Sequence, residues 1–157
     1  MLISARRRAV AAALFSGFLY PCIAAANDQP LEIIQKMYRD FLAKNYTDAI
    51  NSKKNRSRYF VPALVRLYIA DDDRACVSGI EATGQEIHAA QIRKTLSIVQ
   101  TSNDGAHAVV VSKVGNGGLP ESFHYEFVKQ GNAWKISDVI FPNGDRFSHT
   151  DCSSGRR

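Results

Sequence analysis

The residue best placed to do chemistry is a carboxylate among apolar neighbours. Trp134, Ile136, Asp138 and Ile140 alternate with period two, so a strand over 133–141 sets all four on one face. A carboxyl on an apolar face loses hydration, and burial is expected to raise its pKa. Asp138 could then serve as a general acid/base in a pocket or as a hydrogen-bonding anchor for a ligand. The expected role is that of a structural acid satisfied by hydroxyls or backbone amides, since an unpaired buried charge is costly. Tyr38, Tyr68 and Tyr125 are the hydroxyls expected to reach it. The candidate binding set is therefore Asp138, Tyr125 and Trp134, and a catalytic version pairs Asp138 with Tyr125.

Other constellations carry less. Asp145, His149 and Asp151 have ligand chemistry, but their spacing matches no motif with a mechanism behind it. Asp71, Asp72 and Asp73 lack the alternation and glycine turn of a calcium loop, and read as a solvated acidic helix end. His124 and Glu126 lie two apart on the polar face of a strand, where a solvated pair is expected. The chain contains no nucleophile elbow, glycine-rich phosphate loop, HExxH or CxxC. Neither a metal nor a cofactor is expected.

The chain has 157 residues, 45% of them apolar, which suits one globular domain. Residues 1–26 read as a secretory signal: Arg6, Arg7 and Arg8, an apolar run from Ala9 to Leu19, then Ala24-Ala25-Ala26 as a cleavage site. That run is too short to span a bilayer, and Pro21 before Cys22 disfavours a lipid anchor. The mature protein is then expected to start at Asn27, as one α+β domain over 27–157, periplasmic or secreted and without a transmembrane segment. Cleavage removes three arginines and no acid, leaving 17 basic against 15 acidic residues. Nucleic-acid binding loses most of its support. Cleavage also removes Cys22, and the remaining pair in an exported chain, Cys76 and Cys152, reads as a disulfide. It would hold a tail whose residues beyond Phe141 offer little apolar material.

Helices come first. Asp28 is the expected N-cap, Pro30 fits the first turn, and Leu31, Ile34, Met37, Tyr38, Phe41 and Leu42 form one apolar stripe running to about Lys44. Residues 45–58 are polar and basic, and 59–70 form a second helix candidate. Strands follow: one from about Arg93, then 106–114, 121–130 and 133–141. The turns between them contain Asp104-Gly105, Gly115 to Gly118 and Gly131-Asn132. Short spacing makes this an antiparallel meander whose apolar face packs on the helices.

The strand Trp134-Lys135-Ile136-Ser137-Asp138-Val139 resembles the closing W-K-I-D-D-V strand of a bacterial exported and lipoprotein domain family of unknown function. That family is similar to the nuclear-transport-factor-2-like superfamily, and the resemblance would cover roughly residues 30–141. Ser137 departs from the pattern, where the family's first aspartate stands; Asp138 keeps the second. The resemblance implies helices on a curved four-stranded antiparallel sheet, forming a cone. Superfamily members include enzymes, binding modules and assembly factors, so fold alone does not choose among them. The expected function is an exported, non-catalytic binding protein of the envelope, its partner an envelope protein or a small ligand. An inhibitor or immunity protein against an envelope-acting enzyme is the specific version. The alternative is a small isomerase or hydrolase-like enzyme that uses Asp138. An enzyme needs two or three further polar groups converging inside the cone.

Overall fold

Pro30 opens the first helix, where its missing N–H costs nothing. A computed structural model of the chain describes residues 28–45, 47–74, 89–116 and 119–152; the leader and Cys76 lie outside them. Helix α1 spans Pro30–Leu42 and is capped by Gln29, whose backbone N–H donates to Glu32 Oε2 at 2.9 Å. The expected cap, Asp28, instead pairs with Arg58 at 3.4 Å and accepts from the Tyr59 hydroxyl at 3.3 Å. Ile33, Ile34 and Tyr38 are its buried apolar residues, while Leu31, Met37, Phe41 and Leu42 pack at the margin. Asp40 is buried too, paired with Lys36 one turn back.

Three further helices follow: α2 (Arg56–Tyr59), α3 (Pro62–Arg74) and α4 (Ala89–Thr95). Helix α3 runs on through Asp71, Asp72 and Asp73 instead of ending before them. The strand expected from Arg93 is helical up to Thr95, and β1 begins only at Ser97. Helix α4 has seven residues and buries Ile92 alone, too little for a 3.6-residue stripe to register in the sequence. It is held against the sheet by the Gly115 N–H, which donates to Thr95 Oγ1 at 2.9 Å. A Cβ at Gly115 would sit 3.0 Å from Thr95 Cγ2, so only glycine allows this approach without a shift.

Strands β1 (Ser97–Asn103), β2 (His107–Asn116), β3 (Leu119–Gln130) and β4 (Ala133–Ile140) form an antiparallel sheet in sequence order. The α+β meander expected from the turn signals is thus present, with its elements shifted by a few residues. In the first hairpin Gly105 takes φ 88°, and Asp104 Oδ1 accepts the N–H groups of Ala106 and His107 at 2.8 and 2.6 Å. These bonds hold the Asp104 carboxyl below its ordinary pKa.

Facing residues on paired strands share a side of the sheet. One side carries Ala108, Val110, Ser112 and Val114 with Phe123, Tyr125 and Phe127, all buried in the core beneath the helices. In β4, Ile136 faces Phe127, but Asp138 faces Glu126 and Val139 faces Tyr125. Ser137 is the extra residue of a β-bulge. The alternation restarts there, so Asp138 and Ile140 leave the side of Ile136, and Val139 takes the core position. The reading that put Trp134, Ile136, Asp138 and Ile140 on one face is corrected by that single residue.

Beyond β4 the chain turns through Gly144 and returns along the sheet edge, with Arg146 bridging to Ile140. A 3-10 turn, Phe147–His149, follows. Phe147 is fully buried, edge-on to Tyr68 with ring centres 5.0 Å apart. The tail therefore has an apolar anchor of its own, where little apolar material was expected beyond Phe141. Cys152 is also buried. Its pairing with Cys76 remains our expectation, checked by counting thiols in unfolded protein before and after reduction: none, then two, in the mature chain. Two reactive thiols without reductant would refute it.

Candidate functional site

Asp138 sits where β4 meets the returning tail. Its Oδ2 accepts from Arg146 Nε at 2.7 Å and from Ser148 Oγ at 2.7 Å. Its Oδ1 accepts the backbone N–H groups of Ser148 at 3.0 Å and Val139 at 2.9 Å. Arg146 reaches further, donating from Nη2 to Glu126 Oε2 at 2.5 Å. The arginine thus joins two carboxylates that the bulge has set side by side. Burial pushes the Asp138 carboxyl up, yet the Ser148, Arg146 and Val139 donors outweigh it and hold the carboxyl below the ordinary range. This reverses the expected direction. An ionised carboxylate with four donors fastens the tail, and none of the three tyrosines expected to reach it is among those donors.

Those tyrosines lie elsewhere. Tyr38 on α1 and Tyr125 on β3 meet inside the core, where the Tyr38 hydroxyl lies 2.7 Å from Ser112 Oγ and 3.4 Å from the Tyr125 hydroxyl. All three residues are at most 1% exposed. Tyr68 packs edge-on to both Phe60 and Phe147. Polar groups do converge inside the core, but they are neutral hydroxyls, and the sheet separates them from Asp138. The Asp138–Tyr125 pair of the catalytic reading is not assembled. Trp134 is 5% exposed, with the Lys129 ammonium 5.8 Å from its ring centre, and offers little surface to a ligand.

Desolvation raises the Tyr38 pKa and lifts that of Tyr125 well above its ordinary value. A folded pKa above the unfolded value of about 10 gives stability that is complete below pH ~10 and lost as pH rises towards the folded values. Phenolate absorbance should therefore show these two tyrosines ionising only together with alkaline unfolding. Reversible ionisation of all five tyrosines of the mature chain in folded protein would contradict this burial.

The other proposed constellations do not assemble. Asp145 is tied to Asn143, which donates from Nδ2 to Asp145 Oδ2 at 2.7 Å. No group of three metal-ligating side chains occurs among the described residues. His124 stays exposed, while Glu126 belongs to the Arg146 bridge.

A groove that the sequence did not reveal opens between α1 and the α4–β1 corner. It has a volume of about 470 Å³ and is lined by Gln35, Tyr38, Arg39, Leu42, Ala43, Arg93, Leu96 and Ile98. Leu42, Leu96 and Ile98 are half-buried members of the core margin and form its apolar floor. Arg93 donates from Nη2 to the Leu42 carbonyl at 3.0 Å, which fixes its guanidinium at the C-terminal end of α1. Gln35, Arg39 and Leu42 follow one another at helical spacing beside the stripe. That is the one sequence signal that could have flagged the wall, and Arg93 was hidden in a segment read as strand.

No protein-family model matches the chain, and no curated protein matches it. A solved structure does. It is a phospholipid-binding protein from Ralstonia solanacearum in complex with a phospholipid, 18% identical, with a TM-score of 0.37. The similarity covers 78% of this chain and 82% of that one. No described helix is long and apolar enough to cross a membrane.

Proposed function

We propose that this chain is an exported binding protein of the cell envelope, which holds its ligand or partner without converting it. The observation that carries the reading is the lining of the α1–β1 groove: an apolar floor with two guanidinium groups and one amide. Such groups fix a ligand's position, whereas general acid/base catalysis needs a group that exchanges protons near the working pH. Asp138, the acid/base of the enzymatic alternative, is engaged by four donors at the tail. Membership of the nuclear-transport-factor-2-like superfamily, suggested by the Trp134-to-Val139 strand, belongs to the same proposal. So does the narrower idea of an inhibitor or immunity protein, which requires the captured partner to be an envelope enzyme.

Two measurements test it. N-terminal sequencing of protein recovered from the envelope fraction should read from Asn27; a chain still starting at Met1, or lipid on Cys22, would refute soluble export. Affinity capture from envelope extract, with mass spectrometry of both proteins and small molecules, should return one saturable ligand or partner unchanged. Conversion of the captured molecule over many turnovers would instead establish an enzyme.

A further inference from the structure

We infer that the α1–β1 groove binds a single-chain amphiphile with an anionic head, its tail on Leu42, Leu96 and Ile98 and its head between Arg39 and Arg93. The inference rests on the binding-protein reading and names the ligand class. Three half-buried apolar side chains, from α1, the α4–β1 link and β1, converge on the floor, where Tyr38 closes the core behind them. Their exposed apolar surface gains from being covered by hydrocarbon. The polar part of the lining is cationic: Arg39, Arg93 and the neutral Gln35, with no carboxylate among them.

The arginines differ in a way that suits the role. Arg93 spends one donor on the Leu42 carbonyl, so its guanidinium is held in place with its remaining donors available. The exposed Arg39 guanidinium forms no hydrogen bond or ion pair with the described residues. Guanidinium groups meet carboxylate or phosphate oxygens with two parallel bonds, so charge and geometry favour an anionic head over a neutral or cationic one. The groove is open to solvent, and its volume of about 470 Å³ is enough to seat one acyl chain.

The experiment titrates the purified full chain with dodecanoate, dodecyl phosphate, dodecanol and dodecyltrimethylammonium, each below its micellar concentration. At least one of the two anions should bind saturably, at one site, about tenfold or more tighter than the alcohol and the cation. The tighter anion then tells carboxylate from phosphate. Arg39→Ala should weaken that anion about tenfold and leave the unfolding midpoint unchanged, while Arg39→Lys should recover part of the loss. Equal affinity for dodecanol, indifference to Arg39→Ala, or no binding of either anion would overturn the inference while leaving a protein partner open to the parent reading. Tighter binding to dimyristoylphosphatidylglycerol vesicles than to both anions would also overturn it. Mass spectrometry of the recovered probe separates the two failures. A chemically converted probe refutes the binding-protein reading itself, and this inference with it.

Discussion

Replacing Asp138 with alanine is expected to lower the unfolding free energy by about 3 kcal/mol, the lower end of the cost of breaking a buried ion pair. The lower end applies because Arg146 keeps Glu126 and its side chain is 34% exposed, so water relieves part of its lost pairing. Ser148, itself exposed, loses the acceptor of both its N–H and its hydroxyl, and the Val139 N–H, in the buried strand, loses the same carboxylate. Asp138→Asn keeps one acceptor oxygen and should cost less. The pH dependence follows from the depressed pKa. A carboxyl whose folded pKa lies below its unfolded value near 3.9 contributes stability above that value and loses it as pH falls through the folded pKa. Asp138→Asn should therefore flatten the acid limb of the stability curve below about pH 4. Urea unfolding of the wild type and both variants across pH 2–7 decides the matter. An alanine variant as stable as the wild type would mean that this network holds nothing.

Phe147→Ala is expected to cost about 3–5 kcal/mol, the range for truncating a fully buried aromatic. Its ring is fully buried and meets Tyr68 edge-on, and Tyr68 meets Phe60 in the same way, so the cavity would open within a linked aromatic row. Phe147 and Asp138 fasten the same turn from two directions, one into the core and one to β4. Their effects should consequently be non-additive, with the double variant losing less than the two single losses together. A Phe147→Ala loss below about 1 kcal/mol would show that the 3-10 turn adds little to the core.

Much of the architecture was readable locally. The stripe around Ile34, Tyr38 and Leu42, the Asp104-Gly105 hairpin and the alternation of Phe123, Tyr125 and Phe127 are short-range patterns. Each is enforced by backbone geometry within a few residues, and each survives into the fold. Helix α4 was missed because one buried residue, Ile92, carries no period to detect.

By itself the sequence determined an α-then-β order, a four-stranded antiparallel meander and the set of apolar residues available for the core. Tertiary structure decided which side of the sheet Asp138 occupies, because a period-two reading cannot see the residue that Ser137 inserts into the ladder. It also decided the partners of that carboxylate, which come from a tail whose path depends on Phe147 finding Tyr68. The groove is decided in the same way. Arg39 and Arg93 are 54 positions apart in the sequence, and they line one groove only because α1 and the α4–β1 corner pack against the same sheet.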